Sequence, residues 1–171
     1  LFDEKILRKM ADLNERPIIL PLSNPTRKSE CTFEEALTHT DGRCVFAAGS
    51  PFGTVNFHGK PRFADQGNNF YIFPGLGLAG ALVKAKHMDH KVITEAAVAL
   101  ADSMTKDEVD EGRLYPKLGR VREISQYVAF RCIKVLNKDG LCRDDGITAS
   151  MSDDELFRYV GDHMWEPHYE H

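Results

Sequence analysis

The sequence predicts an α/β fold, because short apolar runs in its first half alternate with a segment of helical character. Residues 18–20 and 44–48 form the two runs, and both have the continuous apolar composition of buried parallel strands. Each run ends at a turn of small residues and proline, one around Asn24 and the other around Ser50. This order of strand, loop, helix, strand and loop is typical of a parallel sheet covered by helices.

The helices of the first half are indicated by apolar spacing and by a capping pattern. Residues 2–13 carry apolar side chains at intervals of three and four, which predicts an amphipathic helix. Thr32 and Glu35 have the spacing of a capping box, in which each side chain bonds to the backbone N–H of the other residue. A second helix is therefore expected to follow Thr32, between the two strands.

The second half of the chain has the character of a helical layer. After a stretch rich in Gly, Pro and Asn, residues 70–86 are apolar nearly all round, which predicts a buried helix. Further helices are predicted at residues 91–103, after the pattern Thr105-x-x-Glu108, in residues 121–140 with Gly140 as the C-terminal stop, and after the pattern Ser152-x-x-Glu155. The sequence thus divides into an α/β part, residues 1–69, and a mostly helical part, residues 70–171.

Bulk composition narrows the classes of partner. The 171 residues carry a formal net charge of −4, which argues against nucleic acid as the main partner. No apolar run approaches the roughly 20 residues that cross a bilayer, so no membrane partner is expected. The four cysteines include no C-x-x-C pair, which argues against zinc and favours reduced thiols in an intracellular compartment.

A literal G-x-G-x-x-G pattern occurs at Gly75, Gly77 and Gly80. A phosphate-binding fingerprint of this kind follows a strand, opens a helix and is followed about 20 residues later by an acidic residue that ends a second strand. Here the preceding apolar run is short, and the later residues have helical periodicity. The favoured interpretation is that these small residues let a buried helix pack closely against a neighbour.

Three asparagines are candidate binding residues, because a side-chain amide both donates and accepts hydrogen bonds without adding charge. Asn24 follows the first predicted strand, and Asn68 and Asn69 precede the predicted helix. In open α/β sheets ligands bind beyond the carboxyl ends of the strands, which is where Asn24 and Ser50 are expected. Asparagine also favours turns and helix N-caps, so a purely structural role stays open for all three asparagines.

Two clusters of charged or titratable residues are expected to be structural. His87 and His90 have the i, i+3 spacing that would let them share a metal ion, but a solvated helix end is the favoured interpretation. The acidic residues between positions 107 and 111, which include Glu108, are interpreted as a solvent-exposed face.

Five segments occur in the order in which the malic enzymes carry them. They are LSNPT at 22–26, ECTFEEA at 30–36, GRCVFAAGSPF at 42–52, QGNNFYIFPG at 66–75 and MWEPHY at 164–169. On these motifs the chain resembles the C-terminal part of the malic enzymes, from residue 18 to residue 169. SNPT alone is a weak signal, whereas the ordered set that includes QGNNFYIFPG is highly specific.

The resemblance implies a reaction, a fold and a set of ligands. Malic enzymes oxidatively decarboxylate L-malate to pyruvate and CO2 with NAD or NADP and with Mg2+ or Mn2+. Residues 1–69 would then supply the last strands and helices of a Rossmann-like NAD(P)-binding domain, and residues 70–171 a C-terminal helical segment that packs on it. The family forms homodimers and homotetramers, and both the cytosol and the mitochondrial matrix are compatible compartments.

The resemblance also implies roles for particular residues. Asn24 would contact malate beside the nicotinamide ribose, and Asn68 and Asn69 would hydrogen-bond the carboxylate and hydroxyl region of the substrate. The positive end of the helix that these two asparagines would begin favours an anionic ligand. Contacts to the cofactor on the nicotinamide side of the cleft are expected from Ser23, Asn24, Gly49 and Ser50.

The resemblance further implies that the other functional groups of the family lie upstream of Leu1: its catalytic tyrosine and lysine, its three metal-binding carboxylates and its phosphate-binding loop. Malate oxidation needs a base, a hydride acceptor and a cation that stabilises the enolate, and asparagine supplies none of these. No catalytic residue or metal ligand is therefore expected in this chain, which is predicted to be inactive alone. Two alternatives remain open: a noncatalytic α/β binding or oligomerisation module, and part of another NAD(P)-dependent 2-hydroxy-acid decarboxylase.

Overall fold

The computed structural model of the protein describes residues 1–144 and 146–166. They form two compact units. The first comprises residues 1–68 and 104–116, and the second comprises residues 69–103 and the described residues from 117 onward. The chain therefore leaves the first unit after residue 68, returns to it for thirteen residues and leaves it again.

Helices and strands alternate in the first half, and helices dominate the second. In chain order the elements are α1 (Glu4–Leu13), β1 (Ile18–Ile19), α2 (Phe33–His39), β2 (Val45–Ala48), β3 (Val55–Phe57), β4 (Lys60–Arg62), β5 (Asp65–Gln66), α3 (Phe73–Leu82), α4 (His90–Asp102), α5 (Lys106–Asp110), α6 (Val121–Lys138) and α7 (Asp153–Asp162). The α/β fold class predicted from the sequence is confirmed.

A three-stranded parallel sheet organises the first unit. Its order is β1-β2-β5, and the register places Ile19 beside Phe46 and Ala47 beside Asp65. Because all three strands run in the same direction, their carboxyl ends lie along one edge of the sheet. The loops that leave this edge carry the polar residues singled out in the sequence.

The core of the first unit lies between this sheet and the two helices that precede its strands. Apolar side chains of α1, α2, β1 and β2 are buried together: Leu7, Ile19, Phe33, Leu37 and Phe46. The expectation that residues 18–20 are buried throughout was wrong, since Ile18 is 57% and Leu20 36% exposed. Side chains alternate between the two faces of a strand, and in β1, an edge strand of this sheet, only the Ile19 face meets the core.

The sequence did not predict the antiparallel hairpin of β3 and β4, which lies in the stretch rich in Gly, Pro and Asn. Its turn is formed by His58 and Gly59, whose φ angles are 50° and 76°. Positive φ at both central residues matches the twist of a two-residue hairpin. The sequence of β4 is Lys-Pro-Arg, which lacks the alternation of apolar and polar residues from which a strand is predicted.

The second unit is built around α6, which packs against α3, α4 and α7. The buried face of α6 centres on Ile124, Val128, Cys132, Ile133 and Leu136. The capping box of Ser152 and Glu155 starts α7 as predicted, and those of Thr32 and Thr105 start α2 and α5 in the same way. Among the described residues, no helix is both long and apolar enough to cross a bilayer.

The helix α3 is buried on one side only, which corrects the prediction of burial all round. Gly75, Ala79 and Val83 are buried, whereas Phe73 is 63% exposed. A helix that faces solvent on one side rarely carries apolar side chains there, so the composition of α3 alone predicted complete burial. In the described structure, only the face formed by the small residues is covered.

Candidate functional site

Three loops leave the carboxyl edge of the parallel sheet in the first unit. Asn24 lies in the loop after β1, Ser50 in the loop after β2, and Asn68 two residues after β5. Since β2 pairs with both of its neighbours, the three loops start side by side. The strand order thus brings together polar groups that are up to 44 positions apart in the sequence.

Asn24 and Ser50 are joined directly. The Ser50 hydroxyl donates to Asn24 Oδ1 at 2.6 Å. Ser50 is buried, whereas Asn24 is exposed, so the serine fixes an amide that solvent can reach. An amide that accepts through Oδ1 can donate through Nδ2, which suits it to a carboxylate or alcohol oxygen of a ligand.

Gly49, directly after β2, is bonded to the loop after β1 and to a side chain of β5. Its N–H donates to the Pro21 carbonyl at 3.0 Å, and its carbonyl accepts from Gln66 Nε2 at 3.1 Å. A Cβ atom at Gly49 would lie 2.2 Å from the carbonyl oxygen of Leu22. The chain therefore requires glycine here for packing, whatever else this residue contacts.

Ser23 is held by a carboxylate of the same unit. The Glu30 side chain accepts from the Ser23 hydroxyl at 2.8 Å and from its N–H at 3.2 Å. The hydrogen bond from the Ser23 hydroxyl lowers the pKa of Glu30, because it favours the charged form. This pair fixes the backbone just before Asn24.

Asn68 and Asn69 lie at the division between the two units and are both exposed. Asn68 closes the β5 loop of the first unit. Asn69 begins a 3₁₀ helix, Asn69–Tyr71, in the second unit, and its carbonyl accepts from the N–H of Ile72. The α-helix starts only at Phe73, so the expectation that the asparagines begin it was wrong. The dipole of α3 therefore gives no support for an anion at Asn68 or Asn69.

The G-x-G-x-x-G pattern lies inside α3 and not at a strand-to-helix turn. A Cβ atom at Gly75 would lie 2.7 Å from the carbonyl oxygen of Ser125 and 2.8 Å from Val128 Cβ, both in α6. A Cβ atom at Gly80 would lie 2.7 Å from Met88 Cε. Close packing against α6 explains Gly75, as was predicted from the sequence, whereas Gly80 meets only the end of the Met88 side chain in the loop before α4.

Alanine substitutions separate the packing role of this motif from a phosphate-binding role. Gly75→Ala is expected to lower the free energy of unfolding by about 1–3 kcal/mol, because the added methyl group overlaps α6. Gly77→Ala is the matched control, because nothing lies within 4 Å of its Cβ position, and it should stabilise the helix by about 0.5–1 kcal/mol. Thermal unfolding measures both, and equal stability with weakened cofactor binding in both variants would contradict the packing role.

Glu108 and Asp65 carry buried carboxylates whose burial was not predicted from the sequence. Glu108, interpreted as part of an exposed face, is only 2% exposed and accepts from the N–H of Thr105 in the capping box of α5. Asp65, at the start of β5, is 8% exposed and accepts from three donors in residues 113–115. The capping pattern could have revealed Glu108, whereas no local pattern indicates Asp65, because its partners are about fifty positions away.

The remaining candidate reactive groups are histidines and cysteines. His87 and His90 are exposed, and the described residues contain no group of three or more His, Cys, Asp or Glu arranged to hold a metal ion. The four cysteines are unpaired. Burial raises the pKa of the Cys31 and Cys132 thiols to about 12, which keeps them protonated and unreactive at neutral pH.

The parallel strand order, the flanking helices and the polar loops at the carboxyl edge define a Rossmann-like α/β unit that is followed in the chain by helices. The family model described as "Malic enzyme, NAD binding domain" matches residues 1–137. The chain belongs to the malic enzyme family.

Individual relatives agree with this assignment. The chain is 45% identical to the NADP-dependent malic enzyme of Dictyostelium discoideum over 151 residues, which are 86% of the chain and 28% of the relative. It is 41% identical to the mitochondrial NAD-dependent malic enzyme of Ascaris suum over 171 residues, 99% of the chain and 26% of the relative. The chain thus spans about a quarter of the length of these curated relatives. The last three residues of the motif at 164–169 lie outside the described residues.

Proposed function

We propose that this chain is the part of a longer malic enzyme that completes the site for L-malate and for the nicotinamide end of NAD or NADP. The whole protein oxidises and decarboxylates L-malate to pyruvate and CO2. Asn24, Asn68 and Asn69 bind the substrate, and Ser23, Asn24, Gly49 and Ser50 line the nicotinamide side. Residues 1–69 belong to the NAD(P)-binding domain, and residues 70–171 form a helical segment of the same protein.

This proposal rests on one observation: the parallel strand order β1-β2-β5 places three loops with hydrogen-bonding side chains at the same edge of the sheet. Asn24 and Ser50 already share a hydrogen bond there, so the amide is oriented before a ligand arrives. The groups offered are neutral and can donate to both carboxylate and hydroxyl oxygens. A dicarboxylate with a hydroxyl group presents those acceptors together.

In this proposal, hydride transfer and polarisation of the substrate depend on groups outside residues 1–171. Bound NAD or NADP supplies the hydride acceptor, and Mg2+ or Mn2+, held by carboxylates elsewhere in the protein, polarises the substrate. The residues of this chain orient malate against the nicotinamide, which lowers the barrier by fixing the reacting geometry. The whole protein is expected to be a homodimer or homotetramer, and its compartment is the cytosol or the mitochondrial matrix.

An activity assay on the full-length protein and on residues 1–171 alone tests whether the reactive groups lie outside this chain. The full-length protein should reduce NAD or NADP in the presence of L-malate and Mn2+ and release equimolar pyruvate. Residues 1–171 alone should show no turnover above background, because the base and the metal ligands are absent from them. Turnover by the isolated chain, or none by the full-length protein with either cofactor, would contradict the proposal.

A further inference from the structure

The side chain of Asp65 is a buried carboxyl group that accepts hydrogen bonds from three donors. Its Oδ2 accepts from the N–H of Leu114 at 2.6 Å and from the N–H of Tyr115 at 3.1 Å. Its Oδ1 accepts from Arg113 Nη1 at 3.1 Å. A carboxylate removed from water at this depth is stable only when several donors replace the lost hydration.

The donors all come from the segment that returns to the first unit, so Asp65 fastens that segment to β5. Arg113 is itself fixed by a second carboxylate, with Nε donating to Glu111 at 2.8 Å. Its guanidinium also lies 4.5 Å from the ring centre of Phe63, just before β5. The segment therefore has a defined position relative to the sheet edge.

The position of this segment determines where the side chain of Tyr115 lies. A Cβ atom at Gly67 would lie 3.5 Å from the Tyr115 hydroxyl oxygen, so the phenol faces the Gly67 Cα with space for only about a methyl group between them. Gly67 is bonded through its N–H to the Ala48 carbonyl and immediately precedes Asn68. Burial, together with the charge of Asp65, raises the pKa of Tyr115, so its hydroxyl is protonated at neutral pH.

We propose that Asp65 is a positioning residue for substrate binding: it holds Tyr115 against Gly67 and thereby sets the position of the Asn68 amide. This inference rests on the proposed role of Asn68 in binding malate and adds a residue that touches no ligand itself. Asp65 acts through the backbone N–H groups of Leu114 and Tyr115 and the Arg113 guanidinium, and Tyr115 in turn lies beside the turn after β5. Loss of the carboxylate lets that turn move without removing any group that contacts the substrate.

The substitution Asp65→Asn in the full-length protein tests this role. An asparagine presents a donor where the native carboxylate accepts, so the N–H groups of Leu114 and Tyr115 and the Arg113 guanidinium cannot all be satisfied. The expected result is a five- to twentyfold rise in KM for malate, with kcat within a factor of two and the KM for NAD(P) unchanged. A raised KM with an unchanged kcat indicates that the substitution weakens substrate binding and does not slow the chemical step.

Glu108→Gln is the matched control. It neutralises another buried carboxylate in the same returning segment, but one that caps α5 and is bonded to Thr105. It should lower the melting temperature without changing the KM for malate. An equal rise in KM in both variants would show that general destabilisation is responsible and would overturn the positioning role.

Tyr115→Phe decides the question if Asp65→Asn does not fold. It removes only the hydroxyl beside Gly67 and should raise the KM for malate at least threefold with kcat within a factor of two. An unchanged KM in Tyr115→Phe, or in a folded Asp65→Asn, would refute the proposal. Wild-type activity on malate, measured in the same series, distinguishes this failure from a failure of the proposed function.

Discussion

Replacing Gly49 with alanine is expected to produce a large loss of stability in the first unit. The new methyl group would lie 2.2 Å from the carbonyl oxygen and 2.7 Å from the carbonyl carbon of Leu22, and backbone atoms cannot rotate away as a side chain can. The loop after β1 must shift, at a cost of about 3 kcal/mol. Thermal unfolding of the full-length variant measures this loss.

Activity should fall with stability in this variant, because Leu22 is only two residues before Asn24. Gly53→Ala provides the control: it lies in the same loop after β2, and nothing is within 4 Å of its Cβ position. That variant should unfold at the wild-type temperature or slightly above it. A Gly49→Ala protein with wild-type stability would show that the close approach of Gly49 to Leu22, between the loops after β2 and β1, is not as described.

Asn24→Ala in the full-length protein is expected to lower kcat/KM for malate by about 10- to 150-fold. This range corresponds to the loss of one hydrogen bond to a charged group, about 1.5–3 kcal/mol. Asn69→Ala should have a similar effect if that amide also contacts the substrate. Steady-state kinetics with malate varied at saturating cofactor measure both variants.

A structural role for these asparagines predicts a different outcome. If they only form turns or caps, stability should fall by about 1 kcal/mol and the kinetics of the folded protein should persist. Asn56→Ala is a suitable control, since Asn56 is an exposed asparagine of β3 in the hairpin. Its kinetics should match the wild type. Equal kinetics in Asn24→Ala and Asn56→Ala would contradict substrate binding by Asn24.

Local chemistry made much of the fold predictable. The three capping boxes that begin α2, α5 and α7 depend on residues only three positions apart, so the sequence reveals them directly. The apolar runs of β1 and β2 and the turns after them indicated the parallel sheet. Because ligands gather at the carboxyl ends of such strands, Asn24 and Ser50 could be selected before their hydrogen bond was known.

Features that depend on distant partners could not be predicted in this way. The burial of Asp65 is explained by Arg113, Leu114 and Tyr115, which no periodicity connects with β5. The residues from 104 to 116 were expected in the helical part, yet they contact the first unit. Likewise, the apolar composition of α3 does not reveal which of its faces is covered, because that depends on where α6 lies.

The most direct test is a crystal structure of the full-length protein with L-malate and the reduced cofactor. This complex cannot turn over, because NADH or NADPH cannot accept another hydride. The proposed site predicts malate oxygens within hydrogen-bonding distance, about 3 Å, of the amides of Asn24 and Asn68, with the nicotinamide beside Ser50. Malate bound away from the carboxyl edge of β1, β2 and β5 would contradict it.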